Sequence, residues 1–183
     1  MDSLVEAKDL YDRYQELQRY VGWEDADAAR IQAIVTILEP HFVELIDDFY
    51  AEIERHPDAA KVITGGLEQT ERLKETLRGW LVELVSGQYD AAYVNRRSRV
   101  GWRHVEIGLD QVYTNVALSR LRTGLIGVLR TSWTGEQGEL ALVIQSLNKL
   151  LDLDLAIIED AYQSEHMARQ QRTDRLAACA YTV

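Results

Sequence analysis

The sequence predicts an all-α domain, and three observations carry this prediction. The chain contains only two prolines, Pro40 and Pro57. Its apolar residues recur every three or four positions, as on one face of a helix, rather than alternating as in a half-buried strand. Its 183 residues, 46% of them hydrophobic, suit one ordinary domain. A domain of this size buries roughly 70% of its unfolded surface.

The first three predicted helices lie before residue 58. An amphipathic helix over residues 3–20 carries Leu4, Leu10, Tyr11, Tyr14 and Leu17. The stretch DADAARIQAIVTILEP predicts a second helix that stops before Pro40, because a residue that precedes proline avoids the helical conformation. The third lies in HFVELIDDFYAEIERHP, ends at His56-Pro57 and has one apolar face, which is formed by Phe42, Leu45, Ile46, Phe49, Tyr50 and Ile53.

Four further helices are predicted after the turn TGG at residues 64–66. The first runs from Leu67 to Ser86 and ends at Gly87, with an inner stripe of Leu73, Thr76, Leu77, Trp80, Leu81 and Leu84. The others cover about residues 90–107, 110–132 and 136–170. No internal repeat, low-complexity tract or domain linker interrupts them.

The last predicted helix has more apolar surface than one neighbouring helix can cover. Its main stripe consists of Leu140, Val143, Ile144, Leu147, Leu150, Leu151, Leu155, Ile158 and Tyr162, and Leu142, Leu153 and Ile157 widen it. Either this surface meets a second chain, or the helix is central and is wrapped by its own domain. Asp154 lies inside the stripe, so its carboxylate must face a rim, pair with an arginine or accept hydrogen bonds.

Composition and motifs exclude several classes of function. One cysteine, Cys179, cannot form an internal disulfide and is typical of a reducing cytoplasm. No apolar run approaches the roughly 18–20 residues that span a bilayer. A net charge of −10 disfavours nucleic acid, since the basic cluster Arg96, Arg97, Arg99 and Arg103 is short. Zinc spacings, phosphate loops and nucleophile motifs are absent from the sequence.

The candidate ligand-binding residue is His104, in RVGWRHVEIGL. Gly101 lies three positions before it and Gly108 four positions after it. Each glycine inside a helix costs roughly 1 kcal/mol relative to alanine, so two of them beside one histidine favour a flat surface for a planar macrocycle. The alternative is a core histidine bonded to a carbonyl, with glycines that let helices pack closely. Spacing alone does not decide between them.

The sequence resembles a known family in four blocks that cover about residues 20–165. VGWRHVEIGLDQVY is similar to the proximal-histidine signature of the globin-coupled sensors, the haem-binding gas sensors of the globin superfamily. IDDFYAEIERHP, RLKETLRGWLVELVSGQYD and LNKLLDLDLAIIEDAY resemble the family's B helix, E helix and final helix. Val100 replaces the usual isoleucine, and Tyr113 stands where relatives often carry an aromatic pair with tryptophan.

The resemblance implies a globin fold with an extra N-terminal helix and a site for haem b. It makes His104 the iron ligand, and Tyr50 the residue that donates a hydrogen bond to bound oxygen. Thr76 offers a second hydroxyl, or it bonds back to its own helix. Leu73 would crowd the ligand, and the arginines of the basic cluster could reach the haem propionates. The remaining candidates for the apolar wall are Leu77, Trp80, Leu81, Val100, Ile107 and Tyr113.

The resemblance also implies a function. Residues 1–170 would form a cytoplasmic sensor domain for O2, and possible ligands extend to CO and NO. Its last two helices would form a homodimer, and residues 171–183 would be a tail or the start of a linker to an output module such as a histidine kinase or diguanylate cyclase. The domain itself is then not an enzyme. Two alternatives stay open: a single-domain haem globin with oxygen or nitric-oxide chemistry, and a haem-free helical dimerisation module.

Overall fold

The computed structural model describes the backbone of residues 2–180 and the side chains of residues 9–173. Helices dominate these residues, and no strand occurs among them. The helices are α1 (Asp2–Tyr20), α2 (Asp25–Ala33), α3 (Val35–Leu38), α4 (Phe42–Glu54), α5 (Pro57–Ala60), α6 (Gly66–Leu84), α7 (Ala91–Glu106), α8 (Gln111–Ser132) and α9 (Gln137–Ala180). The all-α prediction is confirmed. Two side chains named above, Leu4 and Cys179, lie outside the described side chains.

Most predicted helices match the observed ones within a few residues, but the second does not. The chain over residues 25–40 forms α2, then α3, then a 3-10 turn over Glu39–His41. The break falls at Ile34, whose backbone (φ −92°, ψ 1°) leaves the helical region. Apolar periodicity continues through such a break, so the sequence pattern does not reveal it. The α-helix nevertheless ends before Pro40, as expected.

The long helix α9 is the centre of the fold. It packs against α1, α2, α7 and α8, while α4 packs against α6 and α8. The side chains of Leu147, Leu150 and Leu151 are fully buried within the single chain. Most of the apolar stripe of α9 is therefore covered by its own domain. The helix also continues to Ala180, past the predicted helix end and domain boundary at residue 170.

The N-terminal helix α1 covers the part of the stripe that looked excessive. Leu153 and Ile157 of α9 form a second apolar cluster with Tyr14 of α1 and Tyr93 and Val94 of α7. By contrast, Leu142 of α9 keeps 45% of its surface exposed. The extra N-terminal helix thus explains Leu153 and Ile157 without a second chain.

Among residues 2–180, no helix combines the length and the apolar character needed to cross a bilayer.

Candidate functional site

His104 lies in the last turn of α7, and both ends of this helix are capped. Asp90 caps the start, where its carboxylate accepts the Tyr93 N–H at 2.9 Å. At the other end, the Gly108 N–H donates to the Val105 carbonyl at 3.1 Å and the Leu109 N–H donates to the His104 carbonyl at 3.0 Å. These two bonds form a Schellman motif, which needs the left-handed backbone that Gly108 adopts at φ +70°. The motif fixes where the helix stops relative to the imidazole.

The interpretation of the two glycines as a bare surface for a macrocycle is wrong. Gly108 lies beyond the helix and terminates it. Gly101 is buried against α9: a Cβ there would lie 2.5 Å from the Ile158 carbonyl oxygen and 3.0 Å from the Ala161 Cβ. The alternative reading, that glycine lets the helices pack closely, is correct for Gly101. His104 remains a candidate ligand on other grounds.

The imidazole of His104 is half-buried and has one polar neighbour on its ring. Thr114 Oγ1 of α8 lies 3.5 Å from His104 Nδ1 and 3.1 Å from the Tyr162 hydroxyl oxygen of α9. Burial lowers the pKa of His104, because desolvation penalises the charged imidazolium. In the tautomer whose proton is on Nδ1, facing Thr114 Oγ1, Nε2 has a lone pair and can bind a metal.

Tyr50 lies on the inner face of α4, with 8% of its surface exposed. Burial alone raises the pKa of its phenol, and neither a charged group nor a hydrogen bond contributes to that shift. The phenol therefore stays protonated at neutral pH and keeps a proton to donate. This is the property that the predicted role of Tyr50 requires.

Four of the five predicted residues of α6 have the following environments. Trp80 is buried, Leu73 and Leu77 are half-buried, and all three belong to the main core or pack against it. Thr76 is exposed, and its hydroxyl donates to the Arg72 carbonyl of its own helix at 2.9 Å. Its one proton is thus used inside α6, which is the back-bonding alternative noted for it.

The other wall candidates separate into two groups. Val100 packs against the main apolar core, which contains Tyr50 and Trp80 and against which Leu73 and Leu77 also pack. Ile107 and Tyr113 are half-buried beside the end of α7 and the start of α8, and lie outside that cluster. Leu81 is fully buried. It is therefore a core residue rather than part of a cofactor wall.

The basic cluster does not act as a unit, and the expectation that Arg97 could reach propionates is wrong. Arg97 is 1% exposed: its Nε donates to Asp154 at 2.8 Å, its Nη1 to Glu83 at 2.8 Å and its Nη2 to the Trp80 carbonyl at 3.0 Å. Arg96 also pairs with Glu83. Arg99 and Arg103 are exposed, and Arg103 Nη1 donates to Glu106 at 3.1 Å.

Asp154 satisfies its charge in two of the ways the sequence allowed. It pairs with Arg97, and it accepts the Tyr93 hydroxyl at 2.6 Å. The Arg97 guanidinium also lies between two aromatic rings, 4.9 Å from the Trp80 centroid and 4.2 Å from the Tyr93 centroid. This buried cluster ties α6, α7 and α9 together.

Sequence reasoning missed three residues near the site. Thr114 carried a usable signal, because it is a polar residue in the inward stripe that continues with Leu118, Leu121 and Leu125. Arg97 could have been paired with Asp154 through the need to neutralise a carboxylate on an apolar stripe. Tyr162 was assigned to the apolar stripe of α9, and its position there gave no sign that its hydroxyl reaches Thr114.

These residues fit a haem. A neutral imidazole is a usual axial ligand of haem iron, and the chain offers one beside an apolar cluster with a buried phenol. A haem site of this kind does not require several protein side chains that bind the metal together. Among the described residues, no group of three or more His, Cys, Asp or Glu side chains could hold a metal ion.

Solved structures that are similar to this chain include globin domains. One is the globin domain of a Geobacter sulfurreducens globin-coupled sensor, with a TM-score of 0.76 and 27% identity, covering 81% of this chain and 96% of that one. Another is the globin domain of E. coli DosC in its ferric form, with a TM-score of 0.65 and 18% identity, covering 84% and 99%. The predicted globin fold with an extra N-terminal helix is confirmed.

The sequence comparisons agree with the structures. The heme-based aerotactic transducer HemAT of Halobacterium salinarum is 30% identical over 158 residues, which are 82% of this chain and 32% of that protein. The chain thus spans about a third of the length of this relative. The family model described as Protoglobin matches residues 10–168. The fold, the position of His104 and this match lead to one conclusion: the chain belongs to the protoglobin family, as a globin domain of the globin-coupled-sensor type.

Proposed function

We propose that this chain is a haem-based oxygen sensor domain in which His104 holds the iron of haem b. The observation that carries the proposal is the placement of His104, half-buried at a capped helix end with Thr114 Oγ1 3.5 Å from its Nδ1. The similarity to HemAT, a heme-based aerotactic transducer, supports the proposal. When bound, haem supplies an iron that takes up a diatomic gas, O2 first and CO or NO as further ligands.

Each residue has a distinct role in this proposal. His104 anchors the iron through Nε2. Tyr50 would donate a hydrogen bond to a diatomic ligand at this site, and this bond would favour O2 over CO because O2 would carry more partial negative charge there. Water would be kept from the iron by Leu73, Leu77, Trp80 and Val100, which all belong to or pack against the apolar core that contains Tyr50. Ile107 and Tyr113 border the same site near the end of α7. Thr76 contributes a second hydrogen-bond donor only if its hydroxyl gives up its bond to the Arg72 carbonyl.

The proposal extends to the signalling role of the domain. Gas binding moves α7 relative to α8 and α9. These last two helices form a homodimer, and the change at the dimer interface is transmitted to an output module beyond the domain. Exposed apolar side chains on α8 support a dimer surface: Val112 is 64% and Val116 is 63% exposed, and they lie one turn apart. Residues 1–170 are the sensor domain, residues 171–183 begin the connection, and the cytoplasm is the compartment.

A spectrum tests the haem site. Purified protein should be red, with a Soret band that shifts when oxygen is added to the reduced form. His104→Ala should lose or greatly weaken haem binding, while the matched variant His166→Ala, which changes an exposed histidine, should not. Haem uptake by His104→Ala with an unchanged spectrum would contradict the proposal. A colourless protein that takes up no added haem would support the helical dimerisation module instead.

A second experiment tests Tyr50 and the sensor role. Tyr50→Phe removes one hydrogen bond, worth about 1–1.5 kcal/mol, so oxygen should dissociate about tenfold faster while CO changes little. Tyr20→Phe, at a site 90% exposed, is the matched control. Turnover of nitric oxide or peroxide at metabolic rates would favour the single-domain enzyme over the sensor.

A further inference from the structure

We propose that Thr114 and Tyr162 form a hydrogen-bond chain that runs from the imidazole of His104 to α9 and sets how strongly that imidazole donates to iron. The proposal deepens the proposed function, and it rests on His104 being the haem ligand. Its starting point is that one oxygen, Thr114 Oγ1, lies within hydrogen-bonding reach of both His104 Nδ1 and the Tyr162 hydroxyl.

The packing of α7, α8 and α9 brings His104, Thr114 and Tyr162 together. The Schellman motif after His104 lets the chain turn at once into α8, whose first turn carries Thr114. Gly101 lets α7 approach α9 at Ile158, and Tyr162 lies one helical turn further along α9. Thr114 is only 7% exposed, so its hydroxyl depends on protein partners rather than on solvent.

The chemistry of the donors gives the chain a direction. If Nε2 binds iron, Nδ1 carries the proton of the neutral imidazole and donates it to Thr114 Oγ1. The Thr114 hydroxyl then donates to the Tyr162 oxygen. A hydroxyl that donates becomes a stronger acceptor, so Tyr162 strengthens the bond between Thr114 and His104. A stronger bond at Nδ1 raises the electron density on the imidazole and its basicity toward iron.

The long first link makes the chain sensitive to position. The Nδ1 to Oγ1 distance is 3.5 Å, while a good N–H···O bond measures about 2.9–3.0 Å, so a shift of the imidazole by about half an ångström makes or loses most of this bond. The second link is already formed at 3.1 Å. Movement of His104 therefore changes a bond that ends on α9, the central helix of the fold.

The test uses variants that remove one hydroxyl at a time. Thr114→Val keeps the shape of the side chain and removes its hydroxyl, Thr114→Ser keeps the hydroxyl, and Tyr162→Phe removes the outer oxygen. Thr131→Val is the matched control, because this α8 hydroxyl donates only to carbonyls of its own helix. The readout in the reduced haem protein is the iron–imidazole stretching band in resonance Raman spectra.

We expect Thr114→Val to lower the band frequency, Tyr162→Phe to lower it by less, and Thr114→Ser and Thr131→Val to keep the parental value. The double variant should match Thr114→Val alone, because Tyr162 acts through Thr114. Haem should also dissociate on the order of tenfold faster from Thr114→Val, as for other residues that orient a metal ligand. A parental band in Thr114→Val overturns the chain, and a parental band in Tyr162→Phe overturns its extension to α9.

A haem-free measurement separates this proposal from the proposed function. In protein without haem, nitrogen NMR of His104 reads which ring nitrogen carries the proton. Thr114→Val should reduce the Nδ1-protonated form, and equal spectra in the two proteins would refute the bond. Failure of the proposed function is seen separately, as haem binding that persists in His104→Ala. Tyr162→Phe keeps the test available if Thr114→Val does not fold.

Discussion

The contact between α7 and α9 at Gly101 predicts that Gly101→Ala destabilises the protein. In an ordinary helix, alanine is more favourable than glycine by about 1 kcal/mol. Here the added Cβ would lie 2.5 Å from the Ile158 carbonyl oxygen and 3.0 Å from the Ala161 Cβ. The Ile158 carbonyl belongs to the backbone of α9, so it cannot rotate away, and the two helices must separate.

The net effect follows from two opposed terms. Inserting a methyl group into a well-packed contact costs about 1–3 kcal/mol, and more where the backbone has to move. The gain in helix propensity offsets about 1 kcal/mol of this cost. Because the backbone of α9 has to move, the cost lies at the upper end of this range, and we expect a net loss of about 2 kcal/mol in the free energy of unfolding. For a protein of this size that is a fall in Tm of roughly 4–8 °C.

Urea unfolding followed by circular dichroism measures the loss, with Gly127→Ala as the matched control. Gly127 lies inside α8, and a Cβ there would meet nothing within 4 Å. This control should gain up to about 1 kcal/mol, so the two alanine variants should move in opposite directions. Equal stabilisation by both substitutions would show that α7 and α9 are not in close contact at Gly101.

Three further predictions concern buried charges and a cap. Asp154→Asn removes the fully buried counter-ion of Arg97 and leaves it only Glu83, which also pairs with Arg96. The free energy of unfolding, measured in urea, should fall by about 3 kcal/mol, the lower end of the cost of breaking a buried pair; a loss below about 1 kcal/mol would refute the buried pair. Burial raises the pKa of Asp27, but hydrogen bonds from Ser146, the Glu24 N–H and Lys149 outweigh burial and lower that pKa overall. The ionised Asp27 thus stabilises the fold above its ordinary pKa of 3.8, and this effect is lost as the pH falls below that value. Asp27→Asn should therefore make the free energy of unfolding fall less steeply between pH 7 and pH 2. An unchanged pH dependence would contradict this. Asp90→Ala removes the cap of α7 and should cost about 1 kcal/mol in thermal unfolding, whereas an unchanged Tm would argue against that cap.

The apolar periodicity of the sequence and the prolines and glycines that end its helices determined a large part of the secondary structure of this protein. They predicted the helical class, the end of the α-helix before Pro40 and the approximate bounds of α6, α7 and α8, because these features depend on residues close together in the chain. They also identified Asp154 as a carboxylate that needed a partner. The resemblance in four blocks then singled out His104 and Tyr50, whose burial and protonation suit the roles it implies.

Only the tertiary structure decided how those elements meet. The sequence separation is 57 residues between Arg97 and Asp154 and 48 residues between Thr114 and Tyr162, and no local pattern reports a contact across such distances. The same holds for Gly101, whose conformation suits any helix and whose need for glycine arises from the carbonyl of Ile158. Periodicity shows which face of a helix is buried, but the residue it meets depends on the angle and depth at which two helices pack.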